Sequence, residues 1–206
     1  MTRPGEKIAT TLRAFGVTPE IEARLAAFVE LLVKWNAKIN LVGPKTLDDP
    51  WTRHILDSVQ LKPHLCDGAI TLVDLGSGAG LPGLVLAILG VGEVHLIESD
   101  ARKCVFLREA ARVTATAITI HNLRIEAAPP IAADIVTARA LAPLDELLPM
   151  AARFLKPKGR AVLLKGARWA EELTTAHKSW HMEATDYPSV TDPAARILLV
   201  ESLSRG

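Results

Sequence analysis

One stretch of the chain, Ile70 to Gly83, constrains its fold more than any other. It reads Ile-Thr-Leu-Val-Asp-Leu-Gly-Ser-Gly-Ala-Gly-Leu-Pro-Gly. A short apolar run ends in an acid, three glycines alternate with small residues, and a segment with helical spacing follows. This order predicts a strand, a tight loop and a helix N-terminus, the arrangement that brings a nucleotide-like ligand against bare backbone.

After Gly68, short apolar runs alternate with segments of helical spacing. This alternation predicts an α/β fold with a mainly parallel sheet and helices on both faces. The last two runs are separated by a segment with two prolines and are expected to pair antiparallel at one edge. The predicted strands are Ile70–Asp74, Glu93–Glu98, Ala117–Asn122, Ile135–Ala138, Ala161–Lys165, His181–Thr185 and Arg196–Glu201. The predicted helices between them are Pro82–Leu89, Arg102–Val113 and Leu144–Phe154.

The residues before the first strand have a helical pattern. Apolar side chains recur at steps of three and four from Ile21 to Trp35, after a helix start signal at Thr18. A second helical segment is predicted to begin near Asp48. We therefore divide the chain into an N-terminal helical extension, residues 1–66, and a Rossmann-like, seven-stranded domain, residues 67–206.

Composition and charge narrow the class of protein. The chain has 206 residues, 49% of them apolar, and a net charge of +1, which argues against coating nucleic acid by charge alone. No apolar run approaches the roughly 18 to 20 residues that span a bilayer. The two cysteines lie in no metal-ligand spacing, so we expect neither a membrane nor a metal as partner. We expect a monomer in a reducing cytoplasm.

A run of cations without any acid lies between Leu147 and Ala170. In isolation such a run is usually a solvated rim. If the nearby site acts on RNA, the better interpretation is that these cations form a rim that faces the phosphates of the RNA. The six cations are Arg153, Lys156, Lys158, Arg160, Lys165 and Arg168.

The glycine loop fits two classes of cofactor, and the acid before it distinguishes them. Residues 78–83 match the G-x-G-x-x-G pattern of nicotinamide cofactors, but that register leaves Asp74 without a purpose. In a methyltransferase register, Asp74 can receive the ammonium of S-adenosylmethionine directly or through water, while the glycines pass under its methionine and ribose. The loop therefore predicts a methyltransferase that uses this cofactor. Its expected cofactor contacts are Asp74, Gly76, Gly78, Gly80 and Leu81.

Further contacts are expected at the ends of the next strands. Glu98 ends the second strand, where a carboxylate accepts hydrogen bonds from both ribose hydroxyls. Beyond the third strand, Ile125 is expected to pack on adenine, and backbone or Glu126 to bind its amine. Arg139 follows the fourth strand and can reach the cofactor carboxylate, the target base or a phosphate.

Sequence features that the chain lacks reduce the number of candidate atoms for methyl acceptance. The fourth strand is not followed by the Asn/Asp-Pro-Pro-aromatic loop that is common in methylation of exocyclic amines. Cys66 and Cys104 are placed as core cysteines, so neither is expected to attack a pyrimidine carbon. Ring nitrogens with a free lone pair, such as guanine N7, remain among the candidates. Methylation of such a nitrogen requires alignment with the methyl donor and exclusion of water, but no general base.

Several short elements resemble one family in order and over nearly the whole chain. They are Trp35-Asn36 with Ile39-Asn40-Leu41, Arg53-His54-Ile55-Leu56-Asp57-Ser58, Asp74 to Gly83, Thr137-Ala138-Arg139-Ala140 and Leu164-Lys165-Gly166. The family is the bacterial 16S ribosomal RNA guanine-N7 methyltransferases, also called glucose-inhibited division protein B. The resemblance implies N7-methylation of one guanine in the decoding-region loop of 16S rRNA, as naked RNA or within the small ribosomal subunit, with S-adenosylmethionine as donor.

The resemblance also assigns roles to residues. It places cofactor contacts on Gly76, Leu81, Ile125, Glu126 and Arg139, with Glu98 as the ribose acid. The segment 123–126 departs from the family's usual Ser-Arg-Val/Ala-Glu by a leucine in the first place and an isoleucine in the third. Polar residues of the extension are expected to hold the guanine and nearby phosphates together with Lys165 and Arg139. The catalytic candidates are Arg139, Asn36, Lys165 and His54, and the RNA-binding candidates are Arg53, Lys165 and Arg168.

Two other functions stay open at this stage. One is a small-molecule methyltransferase that uses the helical extension as a lid. The other is an RNA-binding or nucleotide-sensing module that keeps the fold without turnover. The presence of Asp74, the loop glycines and Glu98 argues against a decayed site.

Overall fold

A sheet of seven strands runs through the computed structural model, which describes residues 3–66, 68 and 70–206. The strand order is β3-β2-β1-β4-β5-β7-β6. Strands β1 to β5 all run parallel to one another, and β7 is antiparallel to both β5 and β6. The strands are β1 (Thr71–Leu75), β2 (Glu93–Ile97), β3 (Thr119–His121), β4 (Ala133–Arg139), β5 (Leu155–Lys165), β6 (Trp180–Pro188) and β7 (Arg196–Arg205). The predicted mainly parallel sheet with an antiparallel edge pair is confirmed.

The helices cover both faces of this sheet. The central strands β1 and β4 are buried on both sides, which is why their sequences are nearly continuous apolar runs. The edge strand β6 instead alternates between exposed and half-buried side chains. The helices are α1 (Glu6–Ala14), α2 (Pro19–Asn36), α3 (Asp57–Val59), α4 (Gly83–Ile88), α5 (Ala101–Val113), α6 (Leu144–Ala152) and α7 (Trp169–Ala176). Among these described residues, no helix is long and apolar enough to cross a membrane.

The predicted second helical segment of the extension is present, but most of it is not a regular α-helix. A 3₁₀ turn at Pro44–Asp48 leads into a π-helical segment at Trp51–Leu56, and only α3 is a regular turn. A π-helix is rare and frequently lies at a functional site, because its wider turn redirects side chains and carbonyls. Here it turns Arg53 and His54 toward the end of β4.

The helical extension shares its core with the sheet domain. Phe28 of α2 and Phe106 of α5 are both fully buried, with ring centroids 6.2 Å apart. Trp35 meets Phe106 edge-on at 5.8 Å. One continuous apolar cluster joins residues of α1 and α2 to β1, β2, α4 and α5.

We expect Phe28→Ala to lower the free energy of unfolding by about 3 to 5 kcal/mol, because it leaves a cavity in this shared core. Urea unfolding followed by near-ultraviolet and far-ultraviolet circular dichroism should show one coincident transition at lower urea. Two separate transitions, with only the extension destabilised, would contradict a shared core.

Candidate active site

The glycine loop lies at the carboxyl end of β1, beside the point where the strand order reverses. Gly76, Gly78 and Gly80 all have positive φ angles, of 61°, 56° and 80°. At Gly76 a Cβ atom would also come within 2.6 Å of the Leu141 side chain, so this position favours glycine. At Gly78 a Cβ would meet a single atom, 3.8 Å away, and would otherwise occupy open space in a cavity.

Asp74 lies beneath this loop rather than in the cavity. Its side chain is fully buried, and Thr137 Oγ1 donates a hydrogen bond to its Oδ1 at 2.7 Å. Its other oxygen, Oδ2, is buried without a hydrogen-bond partner. Burial raises the pKa of Asp74 to about 6, although the hydrogen bond from Thr137 acts in the opposite direction. Direct contact with a cofactor ammonium is therefore not part of this geometry, and that role stays a prediction.

Glu98 follows β2 and holds the loop from the side. Its Oε2 accepts a hydrogen bond from the Gly78 N–H at 2.9 Å, and its Oε1 accepts one from the Asp100 N–H at 2.7 Å. The carboxylate thus joins the loop to the start of α5. Its carbonyl oxygen also accepts a hydrogen bond from the Asn122 side-chain amide at 3.1 Å, which ties in the end of β3. Glu98 is itself buried and is not among the residues that line the cavity, so its contact with ribose hydroxyls stays a prediction.

A cavity of about 730 Å³ opens over the loop. Its walls are the loop itself, the residues after β4 and β5, the π-helical segment and the connection between β6 and β7. Among the predicted residues, the cavity is lined by Arg53, His54, Gly76, Gly78, Leu81, Arg139, Lys165 and Arg168. The cations include Lys103, which the sequence patterns did not single out.

Arg139 is held by the π-helical segment and the residue after it. Its Nη1 donates to the Arg53 carbonyl oxygen at 3.1 Å and to Asp57 Oδ2 at 3.2 Å. Both terminal nitrogens lie 3.4 Å from His54 Nδ1. Nη2 has only this one long contact in the described residues, and it is therefore the part of the guanidinium that is available to a ligand.

His54 serves Arg139 as a neutral acceptor. Thr46 Oγ1 donates to the Gly43 carbonyl at 2.6 Å, so it must accept the hydrogen bond from His54 Nε2 at 2.8 Å. The proton is thereby assigned to Nε2 by the network, which leaves Nδ1 as the acceptor that faces Arg139. Burial, reinforced by the charges of Arg139 and Arg53, lowers the pKa of His54 to about 4. Near neutral pH this histidine carries no charge.

Asp57 connects Arg139 to the opposite wall of the cavity. Its Oδ1 accepts hydrogen bonds from Thr191 Oγ1 at 2.7 Å and from the Gln60 amide at 3.0 Å. The same Gln60 side chain accepts a hydrogen bond from the Val190 N–H at 2.8 Å. The connection between β6 and β7 is thus fastened to the helical extension. The sequence motifs included Asp57 but did not predict these contacts, because Thr191 lies 134 residues from Asp57 and Val190 lies 130 residues from Gln60.

Lys165 faces the cavity with its charge compensated. Its Nζ forms an ion pair with Glu172 at 2.5 Å and donates to the Ala142 carbonyl at 2.9 Å. Glu172 also accepts a hydrogen bond from the Leu144 N–H, at the start of α6. This buried pair fixes the loop after β4, the segment that also contains Leu141.

The remaining predicted residues lie outside the cavity wall. Asn36 accepts hydrogen bonds from the Leu41 and Val42 N–H groups, both at 2.9 Å, and so shapes the turn after α2. Gly80 lies close against Leu84 of α4. Ile125 is buried in the core, and Glu126 is exposed in the 3₁₀ turn that follows β3. Their roles as catalytic or cofactor contacts stay predictions.

The sheet order and the loop define a Rossmann-like methyltransferase fold, and solved structures agree. A methyltransferase from Pyrococcus furiosus superposes with a TM-score of 0.57 at 17% identity, covering 87% of this chain and 98% of that one. TYW2 from M. jannaschii, solved in complex with AdoMet, gives 0.57 at 15% identity over 82% and 80% of the two chains. At these identities the likeness establishes the fold alone.

Sequence relatives are far closer. Residues 21–198 match the family described as rRNA small subunit methyltransferase G. The protein of that name from Paramagnetospirillum magneticum is 56% identical over 93% of both chains, and that of Rhodospirillum rubrum is 52% identical over 92% of this chain and 94% of its own. The chain therefore belongs to the rRNA small subunit methyltransferase G family, which confirms the resemblance found in its motifs.

The buried Asp74 predicts a specific dependence of stability on pH. Its pKa is higher in the folded protein than in the unfolded chain, so its favourable contribution is complete below about pH 4 and is lost as pH rises through about 6. We expect wild type to lose on the order of 2 to 3 kcal/mol relative to Asp74→Asn across this interval. Urea unfolding of both proteins at several pH values measures this difference, and a difference that does not change with pH would contradict the assignment.

Proposed function

We propose that this enzyme transfers a methyl group from S-adenosylmethionine to N7 of one guanine in the decoding-region loop of 16S rRNA, in the cytoplasm. One observation supports this most strongly. The Gly78 loop, held by Glu98, forms the floor of a single cavity whose rim is cationic, in a chain that is 56% identical to a ribosomal RNA small subunit methyltransferase.

The residues around the loop fit the proposed cofactor. The space that a Cβ of Gly78 would fill is open to the cavity, so a ligand can lie directly on the backbone there. Leu81, at 4% exposure, offers an apolar surface beside it. Glu98 would hold the ribose, and Arg139 Nη2 is free to meet a carboxylate. When bound, S-adenosylmethionine supplies an electrophilic methyl group on a sulfonium.

The acceptor chemistry requires orientation more than proton transfer. Guanine N7 has an exposed lone pair and loses no proton when it is methylated, so no general base is needed. This agrees with a cavity in which the histidine, His54, is fixed as a neutral acceptor to Arg139. The network of Asp57, His54 and Arg53 around Arg139 holds the guanidinium rigidly, which serves alignment of the base.

The charged rim favours RNA over a small neutral acceptor. Arg53, Arg139 and Lys165 are each within 4.0 Å of an acid. Among the residues that the structure describes, Lys103 and Arg168 form no ion pair, so their charges are available to phosphates. We infer that Lys165 acts through the loop after β4, because Glu172 already compensates its charge.

Methyl transfer from labelled S-adenosylmethionine to unmethylated 16S rRNA and to unmethylated small subunits tests the proposal. We expect label in RNA at a single guanine of the decoding-region loop. Borohydride reduction followed by aniline should cleave the chain at that nucleotide, because this treatment is selective for N7-methylguanine.

A matched RNA in which that guanine is replaced by 7-deazaguanine serves as the control, since it lacks only the acceptor nitrogen. It should receive no label. Label on the deaza RNA, label at an exocyclic amine or ribose, or turnover with small acceptors alone would contradict the proposed function.

A further inference from the structure

A second groove, of about 450 Å³, lies on the surface between the end of α2 and the start of α5. None of the motifs that led to the site includes it as a ligand surface. It is lined by Lys34, Trp35, Lys38, Ile39, Arg102 and Val105.

The groove combines cations with an aromatic and apolar floor. Lys34 and Lys38 are exposed, and in the described part of the chain neither forms an ion pair. Arg102 pairs with Asp100 at 3.2 Å while most of its side chain stays in solvent. Glu109 pairs with Arg112 at 2.7 Å, and the charge of Lys34 adds to that of Arg112 in lowering the pKa of Glu109. The positive charge of the two lysines is therefore not compensated by an ion pair.

The floor of the groove is a half-buried tryptophan beside an exposed valine. Trp35 is anchored edge-on against the buried Phe106. Val105 keeps 49% of its surface exposed on the outer face of α5. An anchored ring with cations around it is the combination that binds single-stranded nucleic acid, since bases stack on the ring and phosphates meet the lysines.

Two short chain segments, one at the start of α5 and one after α2, connect the groove to the wall of the active-site cavity. On α5, Arg102 of the groove is followed directly by Lys103 of the cavity wall. After α2, Ile39 of the groove is followed two residues later by Leu41 of the cavity wall. An RNA strand that enters the cavity can therefore continue into the groove.

From this placement we propose that the groove binds the RNA strand next to the target nucleotide, with a base against Trp35 and phosphates at Lys34 and Lys38. The inference rests on the proposed function, because it takes RNA as the substrate. It adds that substrate recognition extends beyond the cavity onto α2 and α5. An acidic partner is required by the charge, and the stacking surface favours RNA over an acidic peptide.

The charge change Lys34→Gln/Lys38→Gln tests the phosphate contacts. We expect it to weaken binding of a single-stranded oligoribonucleotide that contains the unmethylated target loop by at least about fivefold at low salt. The slope of log K against log salt should fall by about 1.4 to 1.8. Affinity for S-adenosylhomocysteine should not change. The matched control is Lys7→Gln/Lys178→Gln, which removes the same charge from α1 and from the residue after the α7 cap.

The exposed Val105 permits a second test that leaves the core intact. Val105→Glu places an acid in the groove and should weaken RNA binding severalfold. Val105→Gln has a side chain of the same shape as Glu but no charge, and its affinity for RNA should stay close to that of wild type. The proposal is overturned if the Lys34→Gln/Lys38→Gln and Lys7→Gln/Lys178→Gln variants bind the RNA with equal affinity. It is also overturned if Val105→Glu and Val105→Gln bind the RNA with equal affinity. Loss of binding to small subunits with unchanged binding to the oligoribonucleotide would instead assign the groove to a ribosomal protein, and would also overturn it. Methylation of the target guanine by the wild-type protein is measured in parallel. If it occurs, a negative result with the groove variants counts against the groove alone and not against the proposed function.

Discussion

The two hydrogen bonds accepted by the Glu98 carboxylate are the interaction on which the site depends. They join the glycine loop after β1 to the start of α5, and so connect the carboxyl ends of the adjacent strands β1 and β2. A loop of three glycines in left-handed conformations has little intrinsic rigidity, because glycine loses more conformational freedom than any other residue. A carboxylate suits this place because both donors are N–H groups, and an amide side chain would satisfy only one of them. A role of the same acid in holding a ribose stays a prediction.

Most of the fold could be predicted because it follows from local patterns. The strand–loop–helix around Asp74, the mainly parallel sheet and the antiparallel β6–β7 pair are all present. The helix after the loop begins at Gly83, one residue after Pro82. Helix α7 was missed, since it buries only Ala176 among its eight residues, and α1 was covered only by the general prediction of a helical extension, since it is short and largely exposed. Where little apolar surface is buried, the sequence period that indicates a helix is weak.

The site was less predictable, because its geometry comes from contacts between distant segments. The motif around Arg53 and His54 was recognised, but a π-helix was not, since no residue type specifies one. Arg139 was placed correctly at the end of β4, yet its three partners from the extension could not be deduced from spacing. Asp74 shows the reverse case: its position was predicted, whereas its complete burial under the loop depends on Thr137 and on the close approach of Gly83.

The central claim is that the loop after β1, braced by Glu98, binds a sulfonium nucleoside by its backbone and ribose. Calorimetric titration of S-adenosylhomocysteine into wild type, Glu98→Gln and Glu93→Gln tests it most directly, with NAD as the competing ligand. Glu93 is an exposed acid of the same strand and provides the matched control. The account predicts binding to wild type and Glu93→Gln, a loss of at least about tenfold for Glu98→Gln, and no heat with NAD. Binding of NAD without binding of S-adenosylhomocysteine, or equal affinity of all three proteins, would contradict it.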